Sequence, residues 1–345
     1  MTVTLPGLFD LQVNGFGGVD FNGSGLTADR VAEALQRIRA TGVTRCLPTL
    51  ITSSFARFAE NARVLAGIVD PTIVGVHMEG PYVSSSDGAR GAHPAEHVAP
   101  PTIDDFKRRQ DAAQGRIVLV TLAPEVDGAL RLIEHLVSTG VRVAIGHTAA
   151  TPDELREAIA AGATLATHLG NGCPQMLPRH PNVIWELLAA DAVFASVIAD
   201  GHHLPSSTLK SIVRAKGNER TILVTDAVAA AGVRRSAKAL AERDPRSATA
   251  LAERAAERFT IGDVVCELGA DGRVSLPGTP YLAGSSLTLD RAIANTVRAT
   301  GLPIEAVIPM ASTIPAALLG MTPAGIVTAD WDSDTHDLRV RNVAS

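Results

Sequence analysis

Eight short apolar segments recur along the chain, at 8–15, 45–51, 72–77, 117–122, 141–146, 164–167, 193–199 and 221–225, each bounded by turn-forming residues. Runs of this length read as buried strands, and most are separated by stretches with helical spacing. Thr27 can cap a helix whose apolar positions Val31, Leu35 and Ile38 recur with that spacing before Gly42 ends it. A second helix at 55–69 is stopped by Asp70-Pro71, and others are expected at 127–138 and 206–216. Thr151-Pro152-Asp153-Glu154 forms a capping box with proline at the first helical position. Such alternation folds either as a (β/α)8 TIM-type barrel or as an open doubly wound α/β sheet. The barrel is favoured by where the polar residues fall. Gln12, Glu79, His147, His168, Asp200 and Asp226 lie at or just past the C-terminal ends of six different strands. A barrel gathers those ends on one face, where its active sites sit.

A barrel takes about 250 residues, so a chain of 345 has room for an insertion and an elaborated C-terminus. The expected layout is one barrel domain over 1–330 with an insertion at about 233–280, followed by a short β-like tail at 331–345. Within the insertion, 234–258 is rich in Ala, Arg and Glu and reads as helical, split by Pro245. A hairpin at 260–276 turns at Ala270-Asp271-Gly272, and helices are expected at 286–300 and 304–319. The net charge of −5 and pI near 6.1 come with no basic cluster, which argues against a nucleic-acid partner. Cys46, Cys173 and Cys266 show no C-x-x-C spacing, as expected in a reducing cytoplasm. No signal peptide is evident, and no apolar run reaches the roughly 18–20 residues that span a bilayer. No membrane association is expected.

Glu79, His147 and His168 carry the chemistry. One histidine at a strand end is most simply a hydrogen-bonded packing residue. Two imidazoles and a carboxylate delivered by neighbouring strand ends are instead the donor set of a divalent metal with an open position. Asp226 ends an apolar strand, where an unpartnered carboxylate is costly. It reads either as a cap for the next loop or as the proton acceptor that metal-assisted hydrolysis needs.

The segments around these residues carry a resemblance: His77-Met78-Glu79-Gly80-Pro81, Gly146-His147-Thr148-Ala149-Ala150-Thr151, Thr167-His168-Leu169-Gly170-Asn171 and Val224-Thr225-Asp226-Ala227. With Arg90-Gly91-Ala92-His93, Asp200-Gly201-His202-His203 and Ala283-Gly284-Ser285 in the same order, the chain from Pro6 to Gly320 resembles the N-acetylglucosamine-6-phosphate deacetylases of the amidohydrolase superfamily. The resemblance implies a (β/α)8 barrel that removes acetate from an N-acetylamino sugar. It implies one divalent metal per chain, Zn or Fe(II), on Glu79, His147 and His168. Gln12-Val13-Asn14 stands where two-metal relatives carry His-x-His. Asp226 is implied as base and then acid, and His93 as the group that polarises the carbonyl. Ala92, His93, Asn171, Gly172, Asp200, His203, Leu282, Ala283 and Gly284 are implied as substrate-binding. Arg179 is implied to hold the 6-phosphate from a neighbouring subunit, which makes a homodimer the expected assembly.

Three departures stand out. Only five residues precede Pro6 and the tail is short, so the family's accessory β-sandwich is expected to be absent or vestigial. Gly170 and Gly172 replace larger residues in the sugar-facing loop, and the 234–258 excursion is longer than the family's loop. Two other readings stand beside the deacetylase: an amidohydrolase acting on a different N-acyl or cyclic amide, such as an unphosphorylated sugar, and a barrel without catalysis.

Overall fold

A computed structural model describes residues 1–233 and 257–344. After β1 (Thr2–Pro6), β2 (Leu8–Val13) opens a run of parallel strands, interrupted by the small hairpin of β3 (Gly15–Phe16) and β4 (Val19–Asp20). The run continues through β5 (Val43–Ile51), β6 (Val76–Glu79), β7 (Ile117–Leu122), β8 (Arg142–Ile145), β9 (Leu165–Ala166), β10 (Phe194–Ile198) and β11 (Thr221–Val224). Sheet order follows chain order from β2 to β11, every pairing parallel. A doubly wound sheet reverses its order part-way across. This one does not, and its two edges meet. Val13 bridges Ala227 in parallel, and the Asn14 amide donates to the Ala227 carbonyl at 2.7 Å. The sheet is therefore a closed (β/α)8 barrel.

Seven helices fill the crossovers: α1 (Ala28–Arg39), α2 (Phe55–Gly67), α3 (Ile103–Ala112), α4 (Ala129–Ser138), α5 (Pro152–Ala160), α6 (Val183–Ala189) and α7 (Ser206–Lys216). Their starts follow the local chemistry. The Thr27 side chain accepts from the Arg30 amide, and Thr151 and Glu154 cap each other's backbone reciprocally. The apolar stripe of α1 (Val31, Leu35 and Ile38) is buried against the barrel. The eighth helix, α8 (Leu289–Thr300), arrives only after the insertion.

The structure corrects several boundaries. The strand expected at 72–77 begins at Val76, because Asp70 caps the Thr72 amide and turns the chain first. The helix expected at 304–319 is broken into α9 (Ile304–Val307), a 3-10 turn (Ile308–Ala311) and α10 (Thr313–Leu318). Pro309 has no N–H to continue the ladder. The hairpin expected at 260–276 is a three-stranded meander of β12 (Glu257–Ile261), β13 (Val264–Leu268) and β14 (Val274–Ser275). The expected turn at Ala270-Asp271-Gly272 joins its second and third strands. Of the helix expected at 234–258, residues 257–258 belong to β12 and the rest lies outside the described residues.

Both termini meet in one small sheet. β15 (Ile326–Asp332) pairs antiparallel with β1 on one side and with β16 (Asp337–Ala344) on the other. Leu5, Val327, Ala329, Trp331 and Leu338 bury one face of it. Among the described residues, these three strands are what stands for the expected accessory sandwich. β15 runs across residue 330, so the residues from 331 onward complete a hairpin rather than form a separate tail.

Candidate active site

Glu79 is the last residue of β6, while His147, His168 and Asp226 each stand two residues beyond the ends of β8, β9 and β11. The last three share a left-handed backbone, with φ of 51°, 32° and 51°. Non-glycine residues take this conformation infrequently, Asp and His more readily than most. Here it turns each side chain from the strand end over the barrel mouth. Two of them are held there by their neighbours: the Ser196 hydroxyl accepts from the His168 amide at 2.7 Å, and Glu125 binds the Thr148 hydroxyl and Ala149 amide that follow His147.

The expected metal ligands converge. Glu79 Oε1 lies 3.2 Å from His147 Nε2 and 3.0 Å from His168 Nε2, and the two nitrogens are 3.1 Å apart. One donor atom from each of the three residues lies within 4.8 Å of the others, and all three are buried. The His147 Nδ1–H donates to the Ala89 carbonyl at 3.0 Å, which leaves an Nε2 lone pair facing Glu79 and His168. Two imidazole lone pairs and a carboxylate aimed at one point suit a divalent cation. The residues present therefore fit a metal. Burial would raise the Glu79 carboxyl, but the His147 and His168 rings, when protonated, hold it well below the usual range through hydrogen bonds and charge.

Around this centre stand two further groups. Asp226 Oδ1 accepts from Asn14 Nδ2 at 2.6 Å and from Gln12 Nε2 at 3.2 Å, and Gln12 also donates to Glu79 at 3.0 Å. Burial first, and then the charge of Glu79, pushes the Asp226 carboxyl up to about 6. His93 Nε2 lies 3.1 Å from His147 Nε2, and its Nδ1 pairs with the Thr52 hydroxyl at 2.7 Å. Burial, reinforced by His147, pulls His93 down to about 3, so its ring is neutral.

These groups open into a cavity of about 720 Å³. Ala92, Asn171, Gly172 and His203 line it, as does Leu282–Gly284 from the segment after β14. Among the described residues, no lysine or arginine lines it.

A family model described as "Amidohydrolase family" matches residues 3–335. The chain belongs to the amidohydrolase family. It is 30% identical over 340 residues to the N-acetylglucosamine-6-phosphate deacetylase of Lysinibacillus sphaericus, covering 96% of this chain and 80% of that protein. It is 31% identical to the N-acetylgalactosamine-6-phosphate deacetylase of a Shewanella species, covering 97% and 80%. A mutant N-acetyl-D-glucosamine-6-phosphate deacetylase from Mycobacterium smegmatis, solved in complex with N-acetyl-D-glucosamine-6-phosphate, superposes with a TM-score of 0.84 at 30% identity, covering 99% of this chain and 85% of that one.

In this amidohydrolase the remaining residues implied by the resemblance divide in two. Asp200 does not line the cavity. It stands behind His203, accepting from its ring at 2.7 Å and from the His202 and His203 amides at 2.8 Å. Although burial opposes it, His203 holds the Asp200 carboxyl below its ordinary value. Arg179 is exposed on the loop before α6 and is absent from the cavity wall of its own chain. Sequence reasoning missed Thr52, Glu125 and Ser196. Thr52 directly follows β5, so the strand-end pattern could have found it, whereas Ser196 lies inside β10 and carries no such signal.

Proposed function

We propose that the protein is a metal-dependent deacetylase that hydrolyses the acetamido group of N-acetylglucosamine 6-phosphate to acetate and glucosamine 6-phosphate. The observation that carries this reading is the convergence of Glu79, His147, His168, His93 and Asp226 at the mouth of one barrel. Similarity to amino-sugar-phosphate deacetylases along nearly the whole chain supports it. One divalent ion, Zn or Fe(II), held by Glu79, His147 and His168, supplies Lewis-acid chemistry when bound: it eases proton loss from water and polarises a carbonyl. Asp226, ionised and oriented by Asn14 and Gln12, takes the proton of the attacking water and returns it to the departing amine. His93 donates a hydrogen bond to the carbonyl oxygen as negative charge develops there. This role requires the ring hydrogen on Nε2, which faces the centre, and leaves Nδ1 to accept from the Thr52 hydroxyl. Asn171, Gly172, Ala92 and Leu282–Gly284 wall the sugar, and His203, steadied by Asp200, faces the phosphate.

The phosphate also requires a fixed cation, and among the described residues the cavity wall of one chain provides none. Arg179 from a second copy fills that role in this reading, which makes the protein a homodimer. Three free cysteines, two of them buried, accord with a cytoplasmic setting. Among the described residues, no single helix is long and apolar enough to cross a membrane. A second reading, the galactosamine epimer as substrate, is favoured by the equal similarity to the Shewanella protein.

Acetate release by the metal-loaded protein, measured on both 6-phosphates and on free N-acetylglucosamine, separates these readings. We expect a strong preference for a phosphorylated sugar, and an Asp226→Asn variant slowed by roughly 10²–10⁴-fold with metal content unchanged. A variant as fast as the parent removes Asp226 from the reaction. Equal turnover of free and phosphorylated sugar removes the phosphate.

A further inference from the structure

We propose that Asp10 is a positioning residue for Asp226, acting through Thr225; this rests on the reading of Asp226 as the proton-transfer group. β2 and β11 form the seam of the barrel, where regular ladder pairing gives way to the single bridge between Val13 and Ala227. Asp226 emerges at that seam. Asp10 is 2% exposed on β2. Its Oδ1 accepts from the Thr225 and Gln12 amides, both at 3.2 Å, and its Oδ2 accepts from the Thr225 hydroxyl at 2.6 Å. Two of those three donors belong to the residue immediately before Asp226.

Burial pushes the Asp10 carboxyl up to about 7; once ionised it has only acceptor sites, so above that pH it fixes which way the Thr225 hydroxyl points. With its hydrogen committed to Asp10, the Thr225 oxygen turns a lone pair to the Ala227 amide, 3.1 Å away. Asp226 is thereby bracketed: the amide before it is tied to Asp10, and the amide after it to the hydroxyl that Asp10 orients. Ser285 completes the clamp, its hydroxyl donating to the Thr225 carbonyl at 2.6 Å and its amide to the Asp226 carbonyl at 2.9 Å. An amide at position 10 presents N–H to one of the same donors and turns the hydroxyl toward the Gln12 carbonyl at 3.3 Å. The Thr225 oxygen still accepts from the Ala227 amide, but its hydrogen now follows the longer path to Gln12, so the bracket around Asp226 is loosened rather than lost. Burying a carboxylate is an expensive way to close a barrel seam, and the requirement for acceptors alone accounts for it.

The test uses Asp10→Asn, Thr225→Val and Thr225→Ser in the metal-loaded protein, with Asp226→Asn as the control, all assayed well above pH 7, where Asp10 is ionised. Thermal stability and metal content are measured beside kcat and KM. We expect Asp10→Asn and Thr225→Val to lower kcat per metal-loaded site by about tenfold or more with KM within about twofold. Thr225→Ser, which keeps the hydroxyl, should recover kcat to within about threefold of the parent. If both disrupting variants keep the parental kcat per metal-loaded site and lose only thermal stability, Asp10 is a structural residue and the proposal fails. If Asp226→Asn is itself fully active, the reading of Asp226 fails and this proposal falls with it. Should Asp10→Asn not fold, the contrast between the two Thr225 variants decides.

Discussion

His147, His168 and Asp226 occupy a left-handed backbone that costs on the order of 1–3 kcal/mol at each non-glycine position, and each is kept there by groups from neighbouring strands or the loops that follow them. Sequence patterns located these residues because a strand end is legible as an apolar run that stops. Their backbone conformation was not legible, since it is imposed by partners distant in the chain: Ser196 for His168, and Asp10 through Thr225 for Asp226. The same logic applies to Gly172. A Cβ there would lie 2.9 Å from His147 Nδ1, and its φ of +59° disfavours any side chain. Glycine at this position is what lets the loop pass so close to the His147 ring. Gly172→Ala must push the His147 ring off its bond to the Ala89 carbonyl. We expect metal affinity to fall by about 10–100-fold, as when a group orienting a ligand is lost, with the fold retained by circular dichroism. Unchanged affinity in a metal titration would show that the ring tolerates the contact.

At the scale of elements, the meander β12–β14 is the part of the fold that the sequence described least well. Its middle strand read as one arm of a hairpin, because the Gly262-Asp263 turn lies next to a stretch whose composition points to helix. Its attachment to the barrel runs through Asp20 at the end of β4, which accepts from the Gly262 amide at 2.8 Å and the Asn22 amide at 2.9 Å. Burial outweighs those bonds and pushes the Asp20 carboxyl up to about 6 from 3.8. The sign follows from linkage. A carboxyl raised in the folded state binds more protons folded than unfolded, so its contribution weakens as pH rises from about 4 to 6 and is then level. The slope from one such group is at most about 1.4 kcal/mol per pH unit. Denaturant unfolding from pH 4 to 7 should therefore show a decline that Asp20→Asn flattens. If parent and variant keep the same slope across that window, Asp20 titrates normally and the burial argument fails.

For the whole molecule, barrel closure was readable because eight strands in chain order leave polar residues on one rim, whereas a subunit contact has no periodic signature in the chain. The cavity nevertheless poses the question of a second copy. A sugar phosphate carries close to two negative charges, and a planar guanidinium meets such a group with paired hydrogen bonds. Among the described residues, those lining the cavity include His203 but no arginine or lysine, while Arg179 is exposed on the loop before α6. If Arg179 serves the neighbouring subunit, two differently damaged chains can repair each other. Arg179→Ala alone should raise KM for the 6-phosphate and leave turnover of free sugar unaffected, and Asp226→Asn alone should be inactive. In a mixed dimer, the chain that keeps Asp226 receives Arg179 from its partner, so one of the two sites is whole. Random reassociation of equal amounts makes half the dimers mixed, and activity at low substrate should return to about a quarter of the parent's. An arginine working within its own chain allows no such recovery, and the mixture would then show only the average of its two parts.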